Sequence, residues 1–391
     1  MTRTTALALA CLTTRHLYAL AAPASNPAPA YSLEGAPSSE WPIDYSTSLR
    51  HWDKSISNQT SIIQKVYPGY GLDAPRVTPI NGTSSDWWYF HVFSLNGDGD
   101  VSSVNFNFYT TSPGGYPLLQ NNATKLDLEI FGSFPNGTSY WANEYPDTAE
   151  VFTAGGSSKG RWGSYGSWTS SPDAKYWQLD FDMPSSELTG SVKIYSNGAP
   201  PHLACGPAVA GVQQEFMPHL WWSNALADGN AEVELTYKGE NLSFYGVGYH
   251  DKTWGDQNFY KSVASWYWAQ GRVGPYSIVF YDSRDRAGNE YAISYIAKDG
   301  EMITSTCVPK SVIARPWGGD STYPPTMNSS SPLGLTVDFD VDGKNFHVNF
   351  TTYGTITANS RYTRWLASSA GGFEGEEVYN GTVVWEVVKL E

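Results

Sequence analysis

The chain has 391 residues, 41% of them hydrophobic and only 16% charged, with a net charge of −14. It is long enough for two domains with substantial cores. The acidic balance, with no Lys/Arg cluster to reverse it, excludes nucleic acid and anionic membrane surfaces as partners.

The first segment reads as a secretory signal, residues 1–24. Arg3 precedes the apolar run Ala6–Leu12, and small residues at Ala19, Ala21, Ala22 and Ala24 offer cleavage after Ala21 or Ala24. No later stretch has 18 uninterrupted apolar residues, so no membrane span is expected. Eight Asn-x-Ser/Thr sequons, at Asn58, Asn81, Asn122, Asn136, Asn241, Asn328, Asn349 and Asn380, fit a secreted or secretory-lumen glycoprotein. Cys11 leaves with the signal. Cys205 and Cys307 then remain, and in an oxidising compartment they are expected to pair.

Residues 25–59 are Pro-, Ala- and Ser-rich and read as an extended arm; a short helix is expected near Ser55–Tyr67. Short strands follow, among them Trp87–Ser94, Val101–Thr110, Lys125–Phe131, Trp177–Met183 and Ser191–Ser196. Asn-Gly pairs at 96–97, 136–137 and 197–198 favour tight turns between them. The second half repeats the style with Glu232–Tyr237, Leu242–Tyr249, Ser265–Val273, Tyr276–Asp282, Glu290–Ala297, Leu335–Val341, Phe346–Tyr353 and Val378–Val388. The fold class is all-β, with two stacked β domains, 60–237 and 238–391, stapled by the disulfide. In Phe346–Phe350 the sequon at Asn349 marks the wet face, which makes His347 a surface histidine without a role.

The 16 Trp and 26 Tyr first require a core explanation, but four segments combine rings with polar groups out of place in a core. In Ser85–Phe93, Trp87, Tyr89 and His91 share one face, and Asp86, Trp88, Phe90 and Val92 the other. One face packs a core while the other lines a cavity. In Gly246–Gln257, glycines bracket His250, Asp251 and Lys252. His250 beside Asp251 is either a proton-transfer pair or a hydrogen-bonded structural corner, and a direct dyad requires a turn there. In Ser265–Gln270, Trp266, Trp268 and Gln270 share a face and suit a cavity wall with a hydrogen-bonding handle. In Gln213–Ser223, Trp221 and Trp222 accompany Glu215 and His219. Nucleotide-binding glycine loops and zinc spacings do not occur, so no cofactor or metal is expected.

Four stretches recur together in one known superfamily: Asp86-Trp87-Trp88-Tyr89, the Gly-x-Gly-Tyr-His-Asp-x-x-Trp-Gly run ending at Gly255, Trp266-x-Trp268, and Gly375–Gly381. Over roughly residues 60–391 the chain resembles the lipocalin-like superfamily of hydroxyneurosporene synthase and the fungal Diels–Alderases. The resemblance implies two stacked β-barrel domains around an apolar pocket. With its signal and sequons, the chain most resembles the fungal hetero-Diels–Alderases, which join a quinone methide of a tropolone or other polyketide to a terpene such as humulene. That implies a cofactor-independent pericyclase with apolar small-molecule substrates. Lys252 stands where the hydratase often has His, which counts against a hydratase mechanism.

The expected catalytic set is therefore His250, Asp251, Gln270, Lys252 and His91. The expected substrate-binding set is Trp88, Phe90, Trp221, Trp222, Tyr249, Trp266 and Trp268. Two rivals use the same residues differently. A glycoside hydrolase needs two carboxylates about 5–10 Å apart, drawn from Asp86, Glu215, Asp251, Asp256 and Asp282. A lipocalin-like carrier needs only the apolar pocket.

Overall fold

The computed structural model describes residues 47–96, 99–117 and 124–391. The signal segment, the Asn122 sequon and most of the arm lie outside them. Two antiparallel sheets dominate, one of 15 strands and one of nine. Among the described residues the only helical turns are Pro184–Ser186 and Phe259–Ser262. The helix expected near Ser55–Tyr67 is absent. That stretch runs as irregular chain and the two-residue strand Ile62–Ile63, which pairs with Val77–Thr78.

The domain boundary expected at 237/238 falls inside the first sheet. Lys238 and Gly239 are the turn of a long hairpin whose arms, Leu220–Tyr237 and Glu240–Gly255, pair along their length. Lys238 and Gly239 both have positive φ, 51° and 81°, as a tight hairpin turn demands. The chain changes sheet between Gly255 and Ser265 instead.

Strict alternation distributes the side chains into three apolar layers. Trp88, Phe90 and Val92 point into the curl of the first sheet and pack with Phe106, Phe108, Trp162 and Trp168. Trp52, Trp88, Trp162 and Trp168 form a cluster of tilted and edge-on rings with centroids 5.5–6.4 Å apart. Each such pair contributes about 0.5–1.5 kcal/mol beyond its buried area. Much of the tryptophan excess is therefore core. Tyr267, Ala269 and Val273 fill the curl of the second sheet with Phe280, Val348 and Trp385. The middle layer, which includes Trp87, Tyr249, Trp266, Trp268 and Tyr281, lies between the sheets.

Polar seams hold that middle layer in place. Buried Asp228 of the first sheet accepts from Arg272 of the second, Nη2 to Oδ1 at 2.7 Å, and from Ser277 Oγ at 2.6 Å. Next to it, Gln270 Nε2 donates to the Ala227 carbonyl at 3.1 Å. Cys205, beside the first sheet, is disulfide-bonded to Cys307, which follows the edge strand Glu301–Thr306 of the second.

Candidate active site

A cavity of about 260 Å³ opens between the two sheets. Its walls are lateral rows set by strand register. On the first sheet, Asp251 pairs with Tyr89, Tyr89 with Asn107, and Asn107 with Glu129. These four residues line the cavity side by side. Neighbouring strands lie about 4.8 Å apart, so Asp251 and Glu129 are roughly 14 Å from each other. The facing row on the second sheet runs Tyr281, Trp268, Glu386, Arg364. Trp87, Thr253 and Tyr109 form the neighbouring row on the first sheet, and Trp266, Val388 and Tyr362 the neighbouring row on the second.

Asp251 is 3% exposed. Its Oδ2 accepts from Trp222 Nε1 at 2.9 Å and from the Tyr249 hydroxyl at 2.8 Å. Its Oδ1 has no partner among the described residues, and the side chain lines the cavity. Burial pushes the carboxyl up to about 7, against the downward pull of those two hydrogen bonds. Near neutral pH Asp251 therefore carries a proton for much of the time, and its conjugate base is already solvated by two fixed donors.

At the other end of the row, Glu129 is 8% exposed and Asn107 5%. Asn107 Nδ2 donates to Glu129 Oε1 at 3.2 Å. Burial, and then the nearby Asp127 carboxyl, push Glu129 well above the usual carboxylate range.

On the second sheet Glu386 accepts from Trp266 Nε1 at 3.1 Å, from the Tyr362 hydroxyl at 2.7 Å and from Arg364 Nη1. Arg364 Nη2 lies 3.3 Å from His91 Nδ1. The other His91 nitrogen, Nε2, is 3.0 Å from Gln270 Oε1. Because Gln270 Nε2 is committed to the Ala227 carbonyl, its oxygen is an acceptor, and His91 must hold its proton on Nε2. Burial first, and the Arg364 cation second, keep His91 well below the usual histidine range. It is a neutral ring that accepts from Arg364.

The expected site residues divide along the alternation. Asp251, Trp266 and Trp268 line the cavity. Tyr249 and Trp222 stand behind Asp251 as donors, and His91 and Gln270 stand behind Arg364. Trp88, Phe90 and Trp221 belong to the first-sheet core instead, since residues 88 and 90 point away from the cavity face of their strand. His250 follows them. It stacks on Phe90 with centroids 3.7 Å apart, and its two nitrogens meet the Tyr89 carbonyl at 2.9 Å and Asp73 Oδ1 at 2.8 Å. Lys252 pairs with Asp86 and lies 3.9 Å from the Trp88 ring centroid. Neither His250 nor Lys252 reaches the cavity, because Tyr249–Trp254 is unbroken strand and the turn a His250–Asp251 dyad requires is not there.

Of the carboxylates considered for a glycosidase, only Asp251 lines the cavity. Asp86 is matched by Lys252, Asp282 by Arg315, and Asp256 by His219. Sequence reasoning missed Asn107, Glu129, Arg364 and Glu386. A signal existed for three of them. Glu129 alternates with buried Leu128 and Ile130, Arg364 precedes the apolar Trp365-Leu366-Ala367, and Glu386 interrupts the apolar run Val383–Val388. A charge in such a run requires a buried partner.

A family model described as Diels-Alderase-like matches residues 49–312. The chain belongs to the Diels-Alderase-like family. It is 34% identical to the quinolone epoxide rearrangement protein penF of Penicillium thymicola, over 86% of this chain and 94% of that one. It is 32% identical to the quinolone epoxide rearrangement protein asqO of Emericella nidulans, over 83% and 89%. The Diels-Alderase phmD of Phaeosphaeria nodorum is 22% identical over 81% and 92%. The fold is shared with the crystal structure of CghA with Sch210972, at a TM-score of 0.72, 16% identity and coverage of 88% and 99%. The family thus contains Diels–Alderases and related rearrangement enzymes that act on small molecules.

Proposed function

We propose that this family member catalyses an acid-assisted, cofactor-independent rearrangement of an epoxide borne by a planar heteroaromatic such as a quinolone. The observation that carries the reading is Asp251: one carboxyl oxygen capped by Trp222 and Tyr249, the other facing a ring-walled cavity. An epoxide needs a proton on its oxygen as the C–O bond breaks, and Asp251 supplies it. The electron-poor carbon left behind is stabilised by the faces of Trp87, Trp266 and Trp268, as cations are by aromatic rings. A migrating group carries its electron pair to that carbon. A proton then returns to the Asp251 carboxylate, so product is an isomer of substrate. The cavity, about 260 Å³, sits just below the roughly 300–1,000 Å³ of drug-sized sites, which suits one compact substrate. Turnover of a quinolone epoxide to an isomeric product by the wild type, and its loss in Asp251→Asn, tests the reading. Isomerisation by Asp251→Asn at the wild-type rate would overturn it.

A second reading is the stereoselective hetero-cycloaddition of a tropolone or polyketide quinone methide with a terpene such as humulene. Facing aromatic walls favour it, because they hold two π-systems in one orientation. Racemic adduct formed at the background rate in the presence of the protein removes it. A location in the secretory pathway is likewise proposed. The disulfide supports it, and so does the exposure of six of the sequon asparagines: Asn58, Asn136, Asn241, Asn328, Asn349 and Asn380. Secretion from a fungal host with a mass shift on glycosidase treatment is the expected result.

A further inference from the structure

The Asp251 end of the lateral row accounts for proton transfer and leaves its other end, roughly 14 Å away, without a task. We infer that Asn107 and Glu129 form a subsite that reads the edge of a cis-lactam, its N–H and its C=O together, and so fixes the substrate's orientation relative to Asp251.

Three observations carry this. First, the two residues are register partners on adjacent strands, both more than nine-tenths buried and both lining the cavity. Second, their mutual hydrogen bond uses Asn107 Nδ2 and Glu129 Oε1, and so fixes which atoms remain. Asn107 Oδ1 has no partner among the described residues, and Asn143, the register partner of Glu129 on its other side, is the carboxyl's second amide neighbour. Asn107 Oδ1 is an acceptor only. Third, burial and then the neighbouring Asp127 carboxyl push Glu129 well above the usual carboxylate range, against the hydrogen bonds of Asn143 and Asn107, which favours the protonated form that can donate into the cavity. The row therefore presents one acceptor beside one donor. A cis-lactam edge presents one donor beside one acceptor in the complementary order. A lone ketone, ether or hydrocarbon edge satisfies at most one of the two, and leaves the other buried and unmet. Phe131 and Trp141, stacked with centroids 4.9 Å apart, flank this end of the cavity and provide a flat surface for a fused ring.

The inference rests on reading the cavity as the substrate site, and it deepens that reading by naming the recognised group. Its test is a binding experiment with unreactive ligands, independent of turnover. Isothermal titration of the full chain with quinolin-2-one, N-methylquinolin-2-one and 2-methoxyquinoline compares an intact lactam edge with two blocked ones. The intact lactam is expected to bind on the order of tenfold more tightly than either, the worth of about one buried hydrogen bond. Glu129→Gln keeps an N–H donor facing the cavity and preserves the discrimination. Glu129→Met, close in volume but without a donor, reduces it to within about twofold. Equal binding of all three ligands by the wild type, no binding of quinolin-2-one at millimolar concentration, or full discrimination in folded Glu129→Met would each overturn the subsite. If Glu129→Met does not fold, the wild-type ligand series and Glu129→Gln decide alone. Failure here with intact epoxide turnover removes the lactam subsite only. Lactam discrimination without turnover removes the proposed reaction and leaves the subsite.

Discussion

His91 of the first sheet donates through Nε2 to Gln270 Oε1 of the second, at 3.0 Å, and both side chains are almost completely buried. The bond joins the sheets behind the cavity. It also fixes the tautomer that lets His91 Nδ1 accept from Arg364. Replacing Gln270 by Met removes the acceptor for His91 and the donor for the Ala227 carbonyl while keeping the volume. Each orphaned buried group costs about 1–3 kcal/mol. Gln270→Met is expected to lower stability by about 2–5 kcal/mol in urea titration. A loss below about 1 kcal/mol for Gln270→Met would show that the sheets do not depend on this contact.

Asp251→Asn preserves the shape of the acid. Its amide oxygen still accepts from Trp222 and Tyr249, and its NH₂ group faces the cavity without an acidic proton. General acids contribute typically 10²–10⁴-fold. The expected result is a fall in kcat within that range, with affinity for an unreactive quinolone changed by less than about threefold. A variant that loses binding as much as turnover would make Asp251 a binding residue instead.

Trp268 faces the first sheet between Tyr281 and Glu386, with its ring edge-on to Tyr89 at 6.2 Å and to Tyr249 at 5.5 Å. Its indole is the largest ring of the second-sheet row. If it stabilises a cationic intermediate, Trp268→Phe keeps a weaker π face and Trp268→Leu keeps none. A cation–π contribution of about 1–2 kcal/mol predicts kcat reduced several-fold in Phe and on the order of tenfold or more in Leu. Equal kcat in the two variants would assign the ring to packing alone.

What the sequence made legible follows the period of the strand. Alternation in Ser85–Phe93 and Ser265–Gln270 sorts side chains into two faces, and the structure keeps those faces. Which face meets the cavity was not legible, because Trp87 and Tyr89 on one side look as apolar as Trp88 and Phe90 on the other. That choice is made by sheet curvature, so the cavity takes Trp87 and the core takes Trp88. The same rule divides His250 from Asp251. Adjacent strand residues point apart, and with no turn between them the histidine enters the first-sheet core and the acid enters the cavity. Register is the further unknown. Nothing local sets Asp251 beside Tyr89, 162 positions before it in the chain, or Glu386 beside both Trp268 and Arg364. The lateral rows that make the site exist only once the strands pair.

The disulfide closes a loop with a sequence separation of 102 residues. In the chain-entropy account, closing such a loop in the unfolded chain contributes up to about 4–5 kcal/mol. Because it also links the second-sheet edge to the first sheet, its loss should loosen the seam at Asp228 and Arg272. Cys205→Ser with Cys307→Ser is expected to lower stability by a few kcal/mol and to speed amide exchange in Ala227–Gly229 before the first-sheet core. Exchange that accelerates uniformly would place the effect in the unfolded chain alone.

Asp251 also links stability to pH, with a definite sign. Its pKa rises from an unfolded value near 3.8 to about 7 in the fold, because burial disfavours the charged form. Between those values the folded chain holds a proton that the unfolded chain has released, so this group's contribution declines as pH rises from about 4 to about 7, and is flat outside that window. Three pH units correspond to roughly 4 kcal/mol, an upper figure for a group whose two hydrogen bonds favour its ionised form. Asn at this position does not titrate. The stability of Asp251→Asn relative to wild type should therefore improve by a few kcal/mol from pH 4 to pH 7, then stay constant. Activity has the complementary limb: kcat is level below pH 7 and falls tenfold per unit above it, as the proton donor is lost. Denaturant titrations of the two proteins at matched pH give the first curve, and the wild-type rate profile gives the second. A midpoint near pH 4 in both would mean that Asp251 is ionised throughout the neutral range and cannot be the acid.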